Sequence, residues 1–286
     1  MLNFDVTDIY QNERLDKFLT EKVPDLSRSF ITKLIADKKI YINEKAPKPS
    51  GKLKTGDKIS VNYNLNLLKK SPKIKLPIIY EDNDCIVINK PAGVLSHSKG
   101  LFNPEATVAS FIKDKIADMS DNRAGIVHRL DRGTSGVMIC AKNKKSQAWL
   151  QKQFSARNVK KSYIALINGN LEPKAAVIDM PIERNPRKPQ TFRTGPNGKP
   201  AVTQYKTINQ NDAYSLIELR PETGRTHQLR VHLKQLNHPI VGDDLYDGSE
   251  AGRLYLHALS LELTLPNRKR EKFTAKLPLE FSKMVK

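Results

Sequence analysis

The sequence has few of the residues on which many classes of protein depend. Only two cysteines occur among its 286 residues, and both lie within apolar runs, at Cys85 and Cys140. Apolar neighbours predict small buried side chains, and two isolated cysteines suit neither a disulfide framework nor a zinc site. We therefore expect no metal and a cytoplasmic location. No apolar run approaches the roughly 20 residues of a membrane span, and Met1–Val6 lacks the pattern of a secretory signal.

Acidic residues are also scarce relative to basic ones. Lys and Arg total 49 against 30 Asp and Glu, which gives a formal net charge of +19. Such an excess favours a polyanionic partner, although some AT-rich genomes encode lysine-rich proteins in general. The length is sufficient for one large domain or two ordinary ones, each with its own core.

The stretch Gly125–Gly136 places charged side chains next to predicted core segments. Two apolar residues lead into it, Asp131 follows between two arginines, and the apolar run Val137–Cys140 comes next. This pattern predicts a strand, a tight loop and a buried strand. Because an unpaired charge near a core is strongly disfavoured, Asp131 is either an exposed turn cap or has a partner.

A helix predicted over Arg225–Leu236 offers that partner. At 100° per residue its leucines share one face, and Arg225 lies on the same face. A guanidinium directed at the core from the first turn needs a carboxylate or a bound phosphate, because the start of a helix disfavours a cation. We predict an Arg225–Asp131 pair that orients the carboxylate; the alternative is an arginine extended to solvent from a frayed helix start.

Residues 12–61 have the pattern of a compact unit with two amphipathic helices followed by short strands. They resemble the S-four-like RNA-binding domain. The matching residues are Arg14–Asp16, Ser27–Arg28, Leu34–Ile35, Tyr41–Asn43, Pro49–Ser50 and Gly56–Asp57. The resemblance implies RNA binding through Arg28, Lys33 and Lys38, the alternative being a solvated basic face. Lys38 and Glu44 occupy positions where glycine is usual, so we expect left-handed backbone at Lys38, at a cost of about 1 kcal/mol.

Five further motifs follow in one order along residues 76–280. They are Lys90–Gly93, His128–Gly136, Lys161–Ala165, Gly224–His232 and Leu254–His257. Together they resemble the signature of pseudouridine synthases of the RluA/RluD type, in which a leading S-four-like domain is a usual attachment. One departure is Ser98 after His97, where proline is expected; it affects a loop and leaves the proposed chemistry untouched.

The expected architecture has two domains. We predict an S-four-like domain over 1–61, a linker over 62–76 and a catalytic domain over 77–286. Strands outnumber helices and many are joined by short turns, which predicts an α+β catalytic domain with a largely antiparallel mixed sheet. The resemblance implies the pseudouridine synthase fold for it.

The resemblance also implies an isomerisation, which moves uracil from a nitrogen-linked to a carbon-linked attachment on its ribose and needs no cofactor. A carboxylate can stabilise or capture the positive charge that develops on the sugar, so Asp131 is expected to act as nucleophile or as a base. Arg225 would hold that carboxylate. Tyr163 would stack on the base and steer it, or take part in the late proton transfer.

Three more residues are expected around the target. Arg129 would enter the space that the flipped uridine vacates, and Leu256 would form an apolar wall. His128 lies on the same loop, with a structural hydrogen-bond bridge as its favoured role. The expected substrate is structured RNA, either large-subunit ribosomal RNA or tRNA, and the expected state is a monomer. The alternatives are a non-catalytic ribosome-assembly factor and, with less support, a glycoside hydrolase, which would want a second carboxylate.

Overall fold

The structure is a computed structural model that describes residues 2–24, 26–63, 73–97, 105–119, 123 and 125–285. The chain divides into two compact units, which are described separately below. One comprises Met1–Ile74 with His97–Ser110, and the other Lys75–Ser96 with Phe111–Lys286. Most of the predicted linker, and Ser98, lie outside the described residues, and the predicted division into 1–61, 62–76 and 77–286 remains a prediction.

The N-terminal unit has two helices and a small antiparallel sheet of order β1-β3-β2. Its elements are β1 (Leu2–Asp5), a 3-10 helix (Asp8–Tyr10), α1 (Leu15–Lys22), α2 (Arg28–Ala36), β2 (Ile40–Ile42) and β3 (Lys58–Val61). Ser27 caps α2, since its hydroxyl accepts the N–H of Phe30 at 3.2 Å. Lys38 has φ of 52°, which confirms the predicted left-handed backbone.

The remaining elements alternate between strands and a few short helices. They are β4 (Ile78–Glu81), β5 (Cys85–Lys90), α3 (Val108–Ile112), a 3-10 helix (Lys113–Lys115), β6 (Ser135–Ala141), α4 (Lys144–Ser155), β7 (Lys160–Asn168), β8 (Ala175–Asp179), β9 (Ile182–Arg184), β10 (Phe192–Thr194), β11 (Val202–Gln210), β12 (Tyr214–Pro221), α5 (Gln228–Gln235), β13 (Leu256–Thr264), β14 (Arg270–Thr274) and α6 (Leu279–Lys283). In the described residues, no helix is long and apolar enough to cross a bilayer.

The main sheet confirms the predicted fold class. Its order is β4-β5-β6-β13-β7-β12-β11-β8, with β14 paired to β13. Between the described strands of this sheet, β6 and β13 are parallel and the other pairs antiparallel. The strands β5 and β6 are buried along almost their whole length, which agrees with their continuous apolar sequences.

The parallel pairing brings the start of β6 next to the start of β13. Gly136 is paired with Ala258 and has φ of +115°, and a Cβ at this position would lie 2.1 Å from the Ala258 carbonyl oxygen. Glycine is therefore required for the two backbones to approach this closely. As a result, the loop before β6 lies beside Leu256, the first residue of β13.

The strand predicted before that loop does not form as a strand. Ile126 forms only an isolated bridge with Cys140, and no strand is seen over the described residues 125–134. The buried strand after the loop is confirmed as β6. The segment 182–194 contains the short antiparallel pair of β9 and β10.

Candidate active site

The loop that carries Asp131 is held in place through its backbone. Ser96 Oγ donates to the Leu130 carbonyl at 2.7 Å and accepts the Leu130 N–H at 3.1 Å. The carbonyl of Arg132 accepts a hydrogen bond from Gly93 N–H at 2.8 Å and another from Lys90 Nζ at 3.3 Å. These bonds fix the residues on both sides of Asp131, whose own side chain stays directed into a cavity.

Lys90 is the least exposed charged side chain that supports this loop. Its Nζ is fully buried and also donates to the carbonyls of Pro91 at 2.9 Å and Val94 at 2.8 Å. Burial lowers the pKa of Lys90 to about 7, while the charge of Asp131 acts in the opposite direction. The motif Lys90–Gly93 therefore serves to close the backbone around Asp131.

The arginine closest to Asp131 is Arg230, and the predicted Arg225–Asp131 pair is wrong. Asp131 Oδ2 lies 3.6 Å from Arg230 Nη1 and 3.9 Å from His227 Nε2. The Arg225 guanidinium instead donates through Nε to the Pro200 carbonyl at 3.0 Å. The helix begins at Gln228, so the helical geometry assumed for Arg225 does not apply to it.

Gln228 explains where the helix begins. Its Oε1 accepts hydrogen bonds from Thr223 Oγ1 at 2.7 Å and from the backbone N–H of Arg225 at 2.9 Å. Its Nε2 donates to the Val202 carbonyl at 3.0 Å. These bonds close a turn between β12 and α5, and His227 completes it with a left-handed φ of 57°. Arg225 therefore remains in the turn at the rim of the cavity.

Arg230 is anchored on its far side by a fully buried carboxylate. It donates to Asp243 through Nε at 2.7 Å and through Nη2 at 2.6 Å. Its guanidinium carbon also lies 4.9 Å from the centre of the Tyr246 ring, within the range of a cation–π contact. Two hydrogen bonds of this length are strong, so the position of Arg230 is set by Asp243.

His227 connects the same cluster to Asp131. The hydroxyl of Tyr246 lies 2.8 Å from His227 Nδ1 and accepts the N–H of Phe192 at 2.9 Å. When that hydroxyl donates to Nδ1, the neutral ring carries its proton on Nε2, the nitrogen that faces Asp131. Burial lowers the pKa of His227 below its ordinary value, and the charge of Asp131 partly opposes this effect.

Tyr163 and Leu256 both line the cavity, as expected, and contribute to its apolar surface. They come from the neighbouring antiparallel strands β7 and β13 and both face the cavity that contains Asp131. Leu256 is buried. Burial, together with the charge of Asp131, raises the pKa of Tyr163 above its ordinary value, so this side chain is a neutral phenol at neutral pH.

His128 has the structural contacts of a hydrogen-bond bridge. Its Nε2 accepts the N–H of Ile139 at 3.0 Å, and its ring stacks on Phe154 with centroids 4.5 Å apart. Burial lowers the pKa of His128 to about 3, with a further contribution from the charge of Lys161. Arg129, the next residue, is exposed and lines the same cavity.

The cavity has a volume of about 470 Å³. It is lined by Asp131 and its loop, by the end of α4, by Lys161 and Tyr163 on β7, by the turn 221–227, and by the first residues of α5. A cavity of this size is large enough for a small organic group such as a nucleobase with its sugar.

The predicted RNA-binding residues of the N-terminal unit are all exposed. Arg28, Lys33 and Lys38 lie on α2 and the turn that follows it. Arg28 also makes an ion pair with Asp16, at 2.9 Å from Nε to Oδ2, and Arg14 binds the same carboxylate at 2.9 Å. Asp16 is almost fully buried, so it fixes the orientation of both guanidinium groups.

Comparisons with known proteins identify both units. A family model described as RNA pseudouridylate synthase matches residues 84–235, and an S4 domain model matches 13–59. The ribosomal large subunit pseudouridine synthase D of Yersinia pestis is 40% identical over 251 residues, covering 86% of this chain and 77% of that protein. The chain belongs to the RNA pseudouridylate synthase family.

Other relatives of this synthase agree with that assignment. An RNA pseudouridine synthase of Aquifex aeolicus, described as uncharacterized, is 38% identical and covers 82% of this chain and 77% of its own length. The solved structure of human RNA pseudouridylate synthase domain containing 4 is 29% identical, with a TM-score of 0.58, covering 72% of this chain and 90% of that one. The enzyme is therefore an isomerase that converts uridine to pseudouridine in RNA.

Sequence reasoning missed three residues of the synthase cavity. Arg230 was overlooked because Arg225 seemed to satisfy the same need. A helix through both histidines predicts a structural role for His227, because it would not share a face with His232; the structure instead places His227 Nε2 3.9 Å from Asp131 Oδ2. Lys161 was seen as part of a motif without a role, although its spacing of two from Tyr163 on a strand predicts the same face. His232 does have a structural role, since it contacts Thr203 Oγ1 and the Met180 carbonyl, both at 3.0 Å.

Proposed function

We propose that this synthase modifies uridines of large-subunit ribosomal RNA and that Asp131 is its catalytic carboxylate. The observation that carries the second part is the geometry of Asp131. It is a partly exposed carboxylate in a cavity, and its Oδ2 lies 3.6 Å from the Arg230 guanidinium and 3.9 Å from the His227 ring. Contacts of this length orient the side chain without occupying its oxygens in short hydrogen bonds.

Positive charge develops during the reaction, and a carboxylate can stabilise it. As the bond between uracil N1 and the ribose breaks, charge develops at the sugar carbon, and Asp131 stabilises or captures it, or removes a sugar proton. The uracil then turns and bonds through C5, and overall N1 gains a proton while C5 loses one. Arg230, in place of Arg225, positions Asp131 for this step.

Tyr163 and Leu256 would hold the base while it turns. Tyr163 is a neutral phenol, as tyrosine ordinarily is at neutral pH, and burial raises its pKa further. A neutral ring favours stacking and orientation of uracil, and a part in the final proton transfer is compatible with its position. The exposed Arg129 would fill the space left by the flipped nucleotide, an exchange that offsets part of an unstacking cost of a few kcal/mol.

Ribosomal RNA is the proposed substrate because relatives that share 36 to 40% identity, among them those of Yersinia pestis and Salmonella typhi, carry the name ribosomal large subunit pseudouridine synthase D. The N-terminal unit would add affinity through Arg28, Lys33 and Lys38, whose charges face solvent. A cytoplasmic location and a monomeric state complete the proposal.

Mapping pseudouridines in total RNA tests both parts. Cells that lack this protein should lose pseudouridine at one or more positions of large-subunit ribosomal RNA, and the wild-type gene should restore them. Loss in tRNA alone would refute the proposed substrate. Complementation with Asp131→Asn should restore none of the sites, and full restoration would refute the role of Asp131. Asp212→Asn, a change in an exposed turn, is the matched control.

A further inference from the structure

Lys161 is a partly buried cation that the isomerisation chemistry does not use. It lies at the start of β7 and faces the cavity that contains Asp131. Its Nζ donates to the Thr223 carbonyl at 3.1 Å. In the part of the chain that the structure describes, this carbonyl is the one hydrogen-bond acceptor seen for the ammonium, which has three protons to donate.

The surroundings of Lys161 contain positive charge and little to balance it. None of the ion pairs formed between described residues includes Lys161, whereas Arg157, which lines the same cavity, adds a second cation. Burial, with a further contribution from Arg157, lowers the pKa of Lys161 to about 8. A desolvated ammonium beside another cation is stabilised when an anion binds next to it.

Lys90, a buried lysine with a structural role, provides a comparison for the hydrogen bonding of Lys161. The ammonium of Lys90 is fully buried and donates to three backbone carbonyls at 2.8, 2.9 and 3.3 Å. Lys161 has one such acceptor and an open cavity in front of it. Gly224 lies beside the ammonium, since a Cβ built on it would be 4.0 Å from the Lys161 Nζ, an ordinary van der Waals distance.

The position of Lys161 relative to the reacting groups suggests which anion it binds. Lys161 and Tyr163 are two residues apart on β7, so their side chains lie on one face of the strand, about 7 Å apart at the backbone. Tyr163 lies where the base would stack, and Asp131 lies where the sugar would bind. An RNA strand that places its base and sugar there carries a phosphodiester on either side of that sugar, and phosphate is the usual ligand of a point-charge ammonium.

We propose that the ammonium of Lys161, with Arg157 beside it, forms a phosphate subsite that binds a phosphodiester flanking the target uridine. This inference rests on the proposal that Asp131 marks the active site. The subsite orients the flipped nucleotide through its phosphodiester, so its contribution to RNA binding does not depend on the base sequence of the target. Lys161 is thus a substrate-binding residue of the cavity.

The test combines two changes that each remove one charge: a neutral side chain at position 161 and a neutral linkage in the RNA. The substrates are RNA stem-loops containing a mapped target uridine, made with natural phosphodiesters or with one methylphosphonate immediately 5′ or 3′ of that uridine. Lys161→Met should lower kcat/KM on the natural RNA about 10- to 100-fold, the usual range for a lost charged hydrogen bond. One of the two neutral linkages should lower wild-type kcat/KM by a similar factor, and combining it with Lys161→Met should cause little further loss.

Two variants separate charge from shape and position. Lys161→Arg should keep most of kcat/KM on the natural RNA and stay sensitive to the neutral linkage. Lys160→Met removes the neighbouring lysine, whose side chain is exposed and 3.6 Å from Glu262, and should leave the linkage effect intact.

The proposal is overturned if Lys161→Met is as active as wild type, or if the effect of Lys161→Met multiplies with that of the 5′ neutral linkage and also with that of the 3′ neutral linkage. The latter result would mean that the ammonium meets a uracil oxygen or only supports the turn. Should Lys161→Met fail to fold, Lys161→Arg decides, because loss of its linkage sensitivity contradicts a phosphate contact. The role of Asp131 is tested separately, by measuring the activity and the RNA affinity of Asp131→Asn. If this variant is inactive but still binds the RNA, the proposed function stands whatever the result for Lys161.

Discussion

Arg230 lies between two carboxylates with very different environments. Asp243 has no exposed side-chain surface and forms hydrogen bonds of 2.6 and 2.7 Å to the guanidinium. Asp131 keeps 18% of its side-chain surface exposed and approaches Arg230 only to 3.6 Å. The arginine is therefore anchored by Asp243 and acts on Asp131 mainly through its charge. The difference shows how one cation can stabilise the structure on one side and leave a partly exposed carboxylate without short hydrogen bonds on the other.

The two carboxylates also differ in what holds them. Asp243 follows Gly242, which has φ of +76°; a Cβ on Gly242 would lie 1.8 Å from the Arg253 carbonyl oxygen, so only glycine fits there. The side chain of Asp243 itself makes the anchoring bonds. The loop of Asp131 is held through backbone atoms, in part by Lys90. Backbone anchoring fixes the position of Asp131 without using its side-chain oxygens.

The sharpest contrast is expected from Asp131→Asn. Removing the carboxylate should reduce the single-turnover rate at least about 10³-fold, because no other described cavity residue supplies the same group at that position. The free energy of unfolding should change by less than about 1 kcal/mol, since the lost contacts are long and partly exposed. Rapid-quench kinetics and thermal unfolding measure the two effects. A rate near that of wild type would remove the distinction between the two carboxylates.

Asp243→Asn should have the opposite profile. It leaves Arg230 buried without its short charged partner, a change that usually costs about 3–5 kcal/mol of stability. Urea unfolding measures the loss, and Asp244→Asn, at the exposed neighbouring position, should leave the midpoint unchanged. A fully stable Asp243→Asn would mean that Asp131 can replace Asp243 as the anchor.

Arg230→Lys tests the arginine that the two carboxylates share. Lysine keeps the charge but cannot form the two-pronged contact with Asp243, so Asp131 should lose its orientation. We expect kcat to fall about 10- to 100-fold, equivalent to about 1.4–2.8 kcal/mol. Arg225→Lys should change kcat less than about threefold, because the Arg225 guanidinium contacts the Pro200 carbonyl instead. The reverse order would make Arg225 the arginine that positions Asp131.

The smallest effect is expected from His227→Gln, which removes the ring next to Asp131 and should change the pH dependence of stability. Asp131, Arg230, Asp243 and Arg129 are the charged groups that act on His227, and burial lowers its pKa below the ordinary 6.5. Below pH 6.5 the unfolded chain takes up a proton that the folded protein resists, so this group makes the protein less stable as pH falls.

His227→Gln should therefore lose less stability than wild type between pH 7.5 and 5.5. The linkage slope limits the difference to about 1.4 kcal/mol per pH unit, and urea unfolding at the two pH values measures it. A larger loss in the variant would mean that the charged form of His227 is stabilised by Asp131.

Several residues that line the cavity were predictable one at a time. Asp131, Tyr163 and Leu256 were all expected at the cavity, and all three line it. They could be found because their motifs resemble the pseudouridine synthase signature; of the three, only Asp131 also stands out by its local pattern, as a charge in a polar loop before a buried strand. Lys38 was predicted in the same way, from a turn that normally requires glycine.

The partner of Asp131 was not predictable in this way. The amphipathic pattern assigns one buried face to a helix, but α5 is buried on several sides, from Gln228 through Leu233. The apolar periodicity therefore does not predict that a cation on a second side of the helix, such as Arg230, is buried.

The sequence by itself determined the α+β class and the loop that presents the carboxylate, because these follow from local patterns of apolar and turn residues, and its motifs indicated the two kinds of domain by resemblance. Only the tertiary structure decided which arginine meets Asp131. A single side chain, Gln228, ends the turn with hydrogen bonds to Thr223 and to the backbone of Arg225. It shifts the start of the helix, and the partner that approaches Asp131 is Arg230.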